Sequence, residues 1–375
     1  MSDHDLVERI SLTGPGSHEL VRKPGVGSCS IGPYGDLEVA PDEHVDWTVF
    51  DQFTTPAGSP WPRWIDYEGD DTGWITWAAR RPIEGFTWTP YAAHDLDASG
   101  ADIHGLAVVL RRARLSLTLP AGRFTLGGDL GLFTPRLAPG AECPPLSLHP
   151  DTMVAPDRPY ALPPLPTLAG ATSLAVSVPP LRQPFDCASL LQFPGLTRVE
   201  LSGSLVGLEA LTELKGLTAL QLRYAPELPG LAPLDTWPRL THLIAWNVGE
   251  ADGKRLRAQL RGTDREWRNS SVSKVRKPEW FTTEYGLPFA GWPSRSARAA
   301  VKAFRTAEAA ILGATTPAQV EAAVRGFVAA INRLSRIETT EREDAAVAVG
   351  LLTAATPLGD LSKAAAAWFD DARDF

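Results

Sequence analysis

A chain of 375 residues and 40.4 kDa is long enough for two or three folding units with ample core. Hydrophobic residues at 44% and charged residues at 21% exclude a disordered chain, while 33 Pro and 32 Gly predict many turns and few long strands. The formal charge of −8 argues against a protein that wraps nucleic acid, and no apolar run reaches the about 18–20 residues of a membrane span.

Residues 1–5 are acidic and lack a signal-peptide core, and three widely spaced cysteines (Cys29, Cys143, Cys187) predict free thiols in a reducing cytoplasm. The bias toward Ala, Arg, Pro and Gly has the look of a high-GC bacterial genome. Residues 1–35 are broken by Pro24, Gly25, Gly27, Gly32, Pro33 and Gly35. The stretch Gly25-Val26-Gly27 has the glycine content of a phosphate loop, but a Lys-Ser/Thr ending, a third Gly and a following helix are missing.

Six of the twelve tryptophans fall within 36–95: Trp47, Trp61, Trp64, Trp74, Trp77 and Trp88. Trp74-Ile75-Thr76-Trp77 and Phe86-Thr87-Trp88 predict short strands, with a turn at Gly69-Asp70-Asp71-Thr72-Gly73. Tryptophan is usually buried on most of its surface, so the group predicts a small β cap. The competing reading is a carbohydrate-binding module in which these indoles, with Asp66, Glu68, Asp70 and Asp71, form a platform for sugar rings. Asp70-Asp71 lacks the spaced carboxylates of a calcium loop and reads as a solvated turn. Residues 96–170 carry further β-like runs at 106–110, 115–119, 124–126, 130–133 and 146–148, with Leu115, Leu117 and Leu119 alternating as one buried face.

The strongest periodicity follows. Leu-Thr-Arg-Val-Glu-Leu at 196–201, Leu-Thr-Ala-Leu-Gln-Leu at 217–222 and Leu-Thr-His-Leu-Ile-Ala at 240–245 start 21 and then 23 positions apart. A weaker copy, Ala-Thr-Ser-Leu-Ala-Val at 171–176, precedes them by 25. Between the copies, Leu205, Leu208, Leu211, Leu214 and Leu217, and then Leu228, Leu231, Leu234, Trp237 and Leu240, recur every third position. That period suits a 3₁₀ or polyproline-like return better than an α-helix, and Pro226, Pro229, Pro233 and Pro238 reinforce the point. A single long helix over 205–217 is the alternative, and it leaves the recurring Leu-Thr unexplained.

The stretch resembles leucine-rich repeat proteins, whose pattern is L-x-x-L-x-L-x-x-N-x-L. At the Asn position stand Ser204, Ala225 and Val248, with Asn247 one place early, so the resemblance does not carry over the family's amide ladder. It implies a solenoid that binds a protein or peptide through the residues between its buried leucines.

After Val248 the pattern stops. Residues 250–260 read as a helix and 266–275 as a possible closing strand. Over 254–305, 13 Lys/Arg face four acids, a net of +9, which reads either as a nucleic-acid patch or as an exposed face; few aromatics interleave, and the exposed face is preferred. The last 80 or so residues predict a bundle of four helices, with Val320, Val324, Phe327, Ile331 and Leu334 on one stripe. Thr316-Pro317 marks a start, Thr340 with Glu343 fits a capping box, and Pro357 ends the third helix.

Chemistry is harder to find. The histidines are scattered, and no H-x-x-x-H, H-E-x-x-H, C-x-x-C or G-x-S-x-G occurs. The densest cluster, His94, Asp95, Asp97, Asp102 and His104, would serve a metal-dependent enzyme if turns brought it together; a polar loop before the next strand is the simpler reading. No catalytic residue, metal ligand or cofactor is assigned.

The expectation is therefore an α+β, multi-unit protein: a Trp-rich β region over 1–95, and an irregular leucine-rich repeat β-solenoid over 96–250, clearest at 171–248. A closing segment and linker over 251–293 and a helical bundle over 294–375 complete it. Its expected function is non-catalytic protein or peptide binding, as an adaptor or immunity-like protein, with no membrane or nucleic-acid partner. The resemblance puts Arg198, Glu200, Gln221, Arg223, His242, Ile244 and Trp246 on the outward face of the strands, with Tyr224 just beyond. Trp, Tyr and Arg are the types enriched at binding hot spots.

Overall fold

The computed structural model describes residues 6–374 except 24, 56, 153–157, 179–182, 263, 284, 336, 355, 357 and 360. Residues 1–5, Pro24, Glu284 and Pro357, all used above, lie outside the described residues. The chain divides into two compact units, Met1–Arg276 and Lys277–Phe375, each with its own core.

The first unit opens with an antiparallel hairpin, β1 (Leu6–Ile10) and β2 (His18–Arg22). There follow β3 (Ser28–Gly32), β4 (Leu37–Glu38), β5 (Trp64–Glu68), the short helix α1 (Gly73–Ala78), β6 (Gly85–Thr89) and β7 (His94–Asp97). Next come β8 (Gly105–Leu110), β9 (Leu115–Thr118), β10 (Arg123–Gly128), β11 (Phe133–Arg136), β12 (Leu146–Pro150) and β13 (Ser173–Ser177). The unit closes through β14 (Phe185–Asp186), β15 (Arg198–Ser202), β16 (Leu205–Val206), β17 (Ala219–Arg223), β18 (His242–Trp246), α2 (Glu250–Arg261) and β19 (Asn269–Ser273).

Twelve of these strands form one sheet in the order β19-β18-β17-β15-β13-β12-β10-β8-β6-β5-β3-β4, and every pair in it is parallel. Register explains why. Ile65, Phe86, Leu106, Phe124, Leu146, Leu174, Val199, Leu220 and Leu243 stand in one buried row, and Tyr67, Trp88, Val108, Leu126, Leu148, Val176, Leu201, Leu222 and Ala245 in a second. Each large member contributes about 1.5–3 kcal/mol by leaving water. Truncating one to Ala costs about 2–5 kcal/mol, because its neighbours on adjacent strands cannot close the gap.

This arrangement corrects the expected fold class. A β cap separate from a solenoid over 96–250 is not what forms; a single twelve-stranded parallel sheet with helices attached, of α/β type, runs from Ser28 to Ser273. The tryptophan-rich strands β5 and β6 carry the same two inward rows as the leucine-rich ones. The change from aromatic to aliphatic residues does not interrupt the ladder. A second correction is local: Trp74–Trp77 is not a strand but lies in α1, where the i, i+3 spacing puts both indoles inside, at 0% and 2% exposure.

The connections on the far side are short. 3₁₀ helices occupy Cys187–Gln192, Leu208–Glu213 and Leu234–Thr236, where side chains three apart eclipse, and Leu208, Leu211 and Leu214 are all buried. Small parallel sheets also occupy connections: β11-β9-β7 those after β6, β8 and β10, and β14-β16 those after β13 and β15.

The second unit holds α3 (Pro278–Thr283), α4 (Ser294–Leu312), α5 (Pro317–Ile331), α6 (Thr339–Ala354) and α7 (Ser362–Ala372). Phe304, Val320, Val324, Phe327, Ile331, Ala348 and Leu352 form its core. The first turn of α6 differs from the expected box: the helix begins at Thr339, and Glu341, not Glu343, reaches back to accept from the Glu338 N–H at 3.1 Å. No helix among the described residues is long and apolar enough to cross a membrane.

Candidate functional site: the outward face of the sheet

The alternation that buries Val199, Leu201, Leu220, Leu222, Leu243 and Ala245 turns the intervening residues outward on three adjacent strands. Parallel register then sets them in rows: Arg198 beside Ala219 and His242, Glu200 beside Gln221 and Ile244, Ser202 beside Arg223 and Trp246. Arg198 is exposed; Glu200, Gln221, Arg223, His242, Ile244 and Trp246 are half-buried. Ala219 is only 5% exposed, a small residue between two long ones.

The centre of the face is tied together. The Arg223 guanidinium lies 2.8 Å from Glu200 Oε1, and its Nη2 donates to Gln221 Oε1 at 3.0 Å. Both charged side chains of this pair are 36% exposed, so it is worth at most about 1 kcal/mol. Its effect is to fix three long side chains in one arrangement. His242 is held by the residue before it, with Nδ1 3.0 Å from the Thr241 hydroxyl. Arg198 makes no ion pair among the described residues.

Beyond the strand ends the backbone turns left-handed in register. Gly203 (φ 107°), Tyr224 (φ 51°), Asn247 (φ 52°) and Lys274 (φ 53°) follow directly on β15, β17, β18 and β19. The turn swings the Tyr224 ring against Trp246, edge to face, with centroids 5.0 Å apart. Burial raises the Tyr224 phenol above the usual tyrosine range, against the opposing effect of its hydrogen bond with Asn247. Asn247 is fully buried, and its Oδ1 accepts from Arg276 Nε at 2.7 Å. The face therefore offers an aromatic pair, an aliphatic Ile244 and free or pre-positioned arginines within three strands.

Two further parts of this surface were not among the sequence's site candidates. The closing strand expected over 266–275 forms as β19 and adds Asn269, Ser271 and Ser273 to the rows, although Asn-Ser-Ser-Val-Ser lacks the alternation that would have marked an outward face. The repeated threonine is the other. Thr197 and Thr218 hydroxyls donate to the carbonyls of Thr172 and Thr197, at 3.1 and 3.0 Å, so the second position of these two copies links one strand to the one before.

The other sequence candidates are structural. Of the six N-terminal tryptophans, five are at most 5% exposed, and only Trp64, at 52%, meets solvent. Asp71 accepts from Trp47 Nε1 at 2.7 Å and the Gly73 N–H at 2.8 Å, and Asp70 from the Tyr91 and Ala92 N–H groups at 2.9 and 2.7 Å. Burial would raise the Asp70 carboxyl, but these donors and His94 outweigh it and hold it below the usual range. His94 binds Asp70 at 3.2 Å, whereas His104 lies against Arg123 at 2.8 Å. No three His, Cys, Asp or Glu side chains converge as a metal site among the described residues. No protein-family model, curated protein or solved structure matches this chain.

Proposed function

We propose that the chain is a non-catalytic binding protein that takes a protein or peptide on the outward face of β15, β17 and β18. The observation that carries this reading is the register of Arg198, Glu200, Gln221, Arg223, His242, Ile244 and Trp246, joined by Tyr224. An outward isoleucine beside a tryptophan–tyrosine pair, framed by arginines, has the make-up of a hot spot with a polar rim. The in-line Leu196, Leu217 and Leu240, each fully buried two residues before its strand, support kinship with leucine-rich repeat proteins in residues 171–248. Three free cysteines suit a reducing cytoplasm.

The test is selection of peptides from a displayed random library on the immobilised full chain, followed by affinity measurement against variants. Trp246→Ala and Arg223→Ala each weaken a selected peptide by about 2 kcal/mol, roughly thirtyfold, if the face is the site. Peptides whose affinity is indifferent to both substitutions reject it.

A further inference from the structure

The two edges of the large sheet are unlike. At one end β4 is two residues long, and its Glu38 carbonyl lies 2.8 Å from His18 Nε2 of the hairpin. That edge is short and capped, as natural sheets blunt theirs. At the other end β19 runs for five residues without a proline or a charged side chain, and Asn269, Ser270 and Ser271 are exposed. Its pairing with β18 fixes which backbone groups face outward. The Asn269 N–H donates to Thr241 O and the Ser273 carbonyl accepts from the Asn247 N–H, so residues 269 and 273 point inward along the ladder. Alternation turns Ser270 and Val272 the other way. Arg257 of α2 accordingly reaches the Val272 carbonyl from outside, at 2.9 and 3.1 Å. The Ser270 N–H and carbonyl and the Val272 N–H find no partner among the described residues.

From 264 to 276, Arg265, Arg268, Lys274 and Arg276 outnumber Asp264 and Glu266, so the charge around this edge is basic in excess. Glu250 and Asp252 are occupied by Lys254 and Arg255 within α2, each at 2.7 Å. Arg268 and Lys274 flank the strand, both exposed and without an ion pair among the described residues. We propose that β19 is a docking edge that accepts an extended acidic peptide segment as a thirteenth strand, its backbone bonding to Ser270 and Val272 and its carboxylates meeting Arg268 and Lys274. Strand addition of this kind draws affinity from main-chain bonds and selectivity from the flanking side chains. It gives a role to Arg268 and Lys274, which the outward face does not use, and it stands independently of that face.

Fluorescence polarisation of the full chain with a short fluorescein-labelled peptide of alternating glutamate and valine tests it. The acidic peptide binds, salt weakens it, a lysine–valine counterpart does not bind, and the Ser270 and Val272 amides gain protection from hydrogen exchange. Ser270→Pro removes an N–H that the native ladder does not use, so the melting temperature holds while the peptide weakens about fivefold or more. Should that variant not fold, Arg268→Glu with Lys274→Glu gives the same loss. Trp246→Ala leaves the peptide affinity unchanged, which separates this edge from the outward face. Absence of binding, binding indifferent to both Ser270→Pro and the charge reversal, or equal binding of a single-stranded oligothymidine overturns the proposal.

Discussion

Cys29 lies 2% exposed under β3, and burial, reinforced by Asp36 and Asp66, pushes its thiol up to about 12 from an ordinary 9.0. Burial likewise lifts Cys143 to about 11 and raises Cys187 still further. A raised thiol keeps its proton when folded and loses it when unfolded, so the unfolded state binds fewer protons through this window. Stability is thus undiminished by these groups below pH about 9 and falls as the pH rises toward about 12. Urea midpoints measured at about pH 8 and again near pH 10.5 should show the decline. Labelling with a thiol reagent at about pH 8 should reach Cys29 and Cys187 only after denaturant is added. Rapid labelling of both in the folded protein would contradict their placement. The cysteines' free state was legible from their number and spacing. The roles of Asp70 and Asp71 were not, because their donors Tyr91, Ala92 and Trp47 lie more than twenty positions away in the chain.

At the scale of the element, the left-handed residues that end successive strands are the least conventional part of the backbone. Asn247 occupies one of them fully buried, with its amide oxygen committed to Arg276. Asn tolerates this conformation better than other non-glycine residues because its short polar side chain bonds locally. Asn247→Ala adds backbone strain to a lost charge-assisted bond and should cost about 2–4 kcal/mol. Asn247→Gly loses the bond but not the conformation, and should cost about 1 kcal/mol less than the alanine variant. Thermal melts of both give the ordering, and an alanine variant as stable as the glycine one would show the turn to be unstrained. The sequence made the Leu-Thr copies, their 3₁₀ returns and the four bundle helices readable, since each rests on a local period. It misled at Trp74–Trp77, where aromatic content pointed to a strand and burial on one helical face prevailed. It pointed to a closing strand over 266–275 but not to the bounds or outward face of β19, whose serines carry no period.

Across the whole molecule, the sheet's continuity is what composition obscured. Tryptophan gives way to leucine between β6 and β13, and a reader of residue types sees two objects there. The inward rows show one: Phe86 and Trp88 stand in line with Leu174 and Val176 through three intervening strands. Outward positions follow the same register, so the candidate face on β15, β17 and β18 is the late portion of a surface that begins at β3. Paired cysteines read that register directly, because only residues directly opposite on neighbouring strands meet the about 4.4–6.8 Å Cα spacing of a disulfide. The decisive measurement is disulfide formation under mild oxidation, by mass spectrometry, in Thr87→Cys with Ala107→Cys and in Glu200→Cys with Gln221→Cys, which are register partners in the aromatic and leucine-rich parts. The account predicts closure of both pairs and none for Thr87→Cys with Val109→Cys. Closure at 200 and 221 with free thiols at 87 and 107 would contradict it.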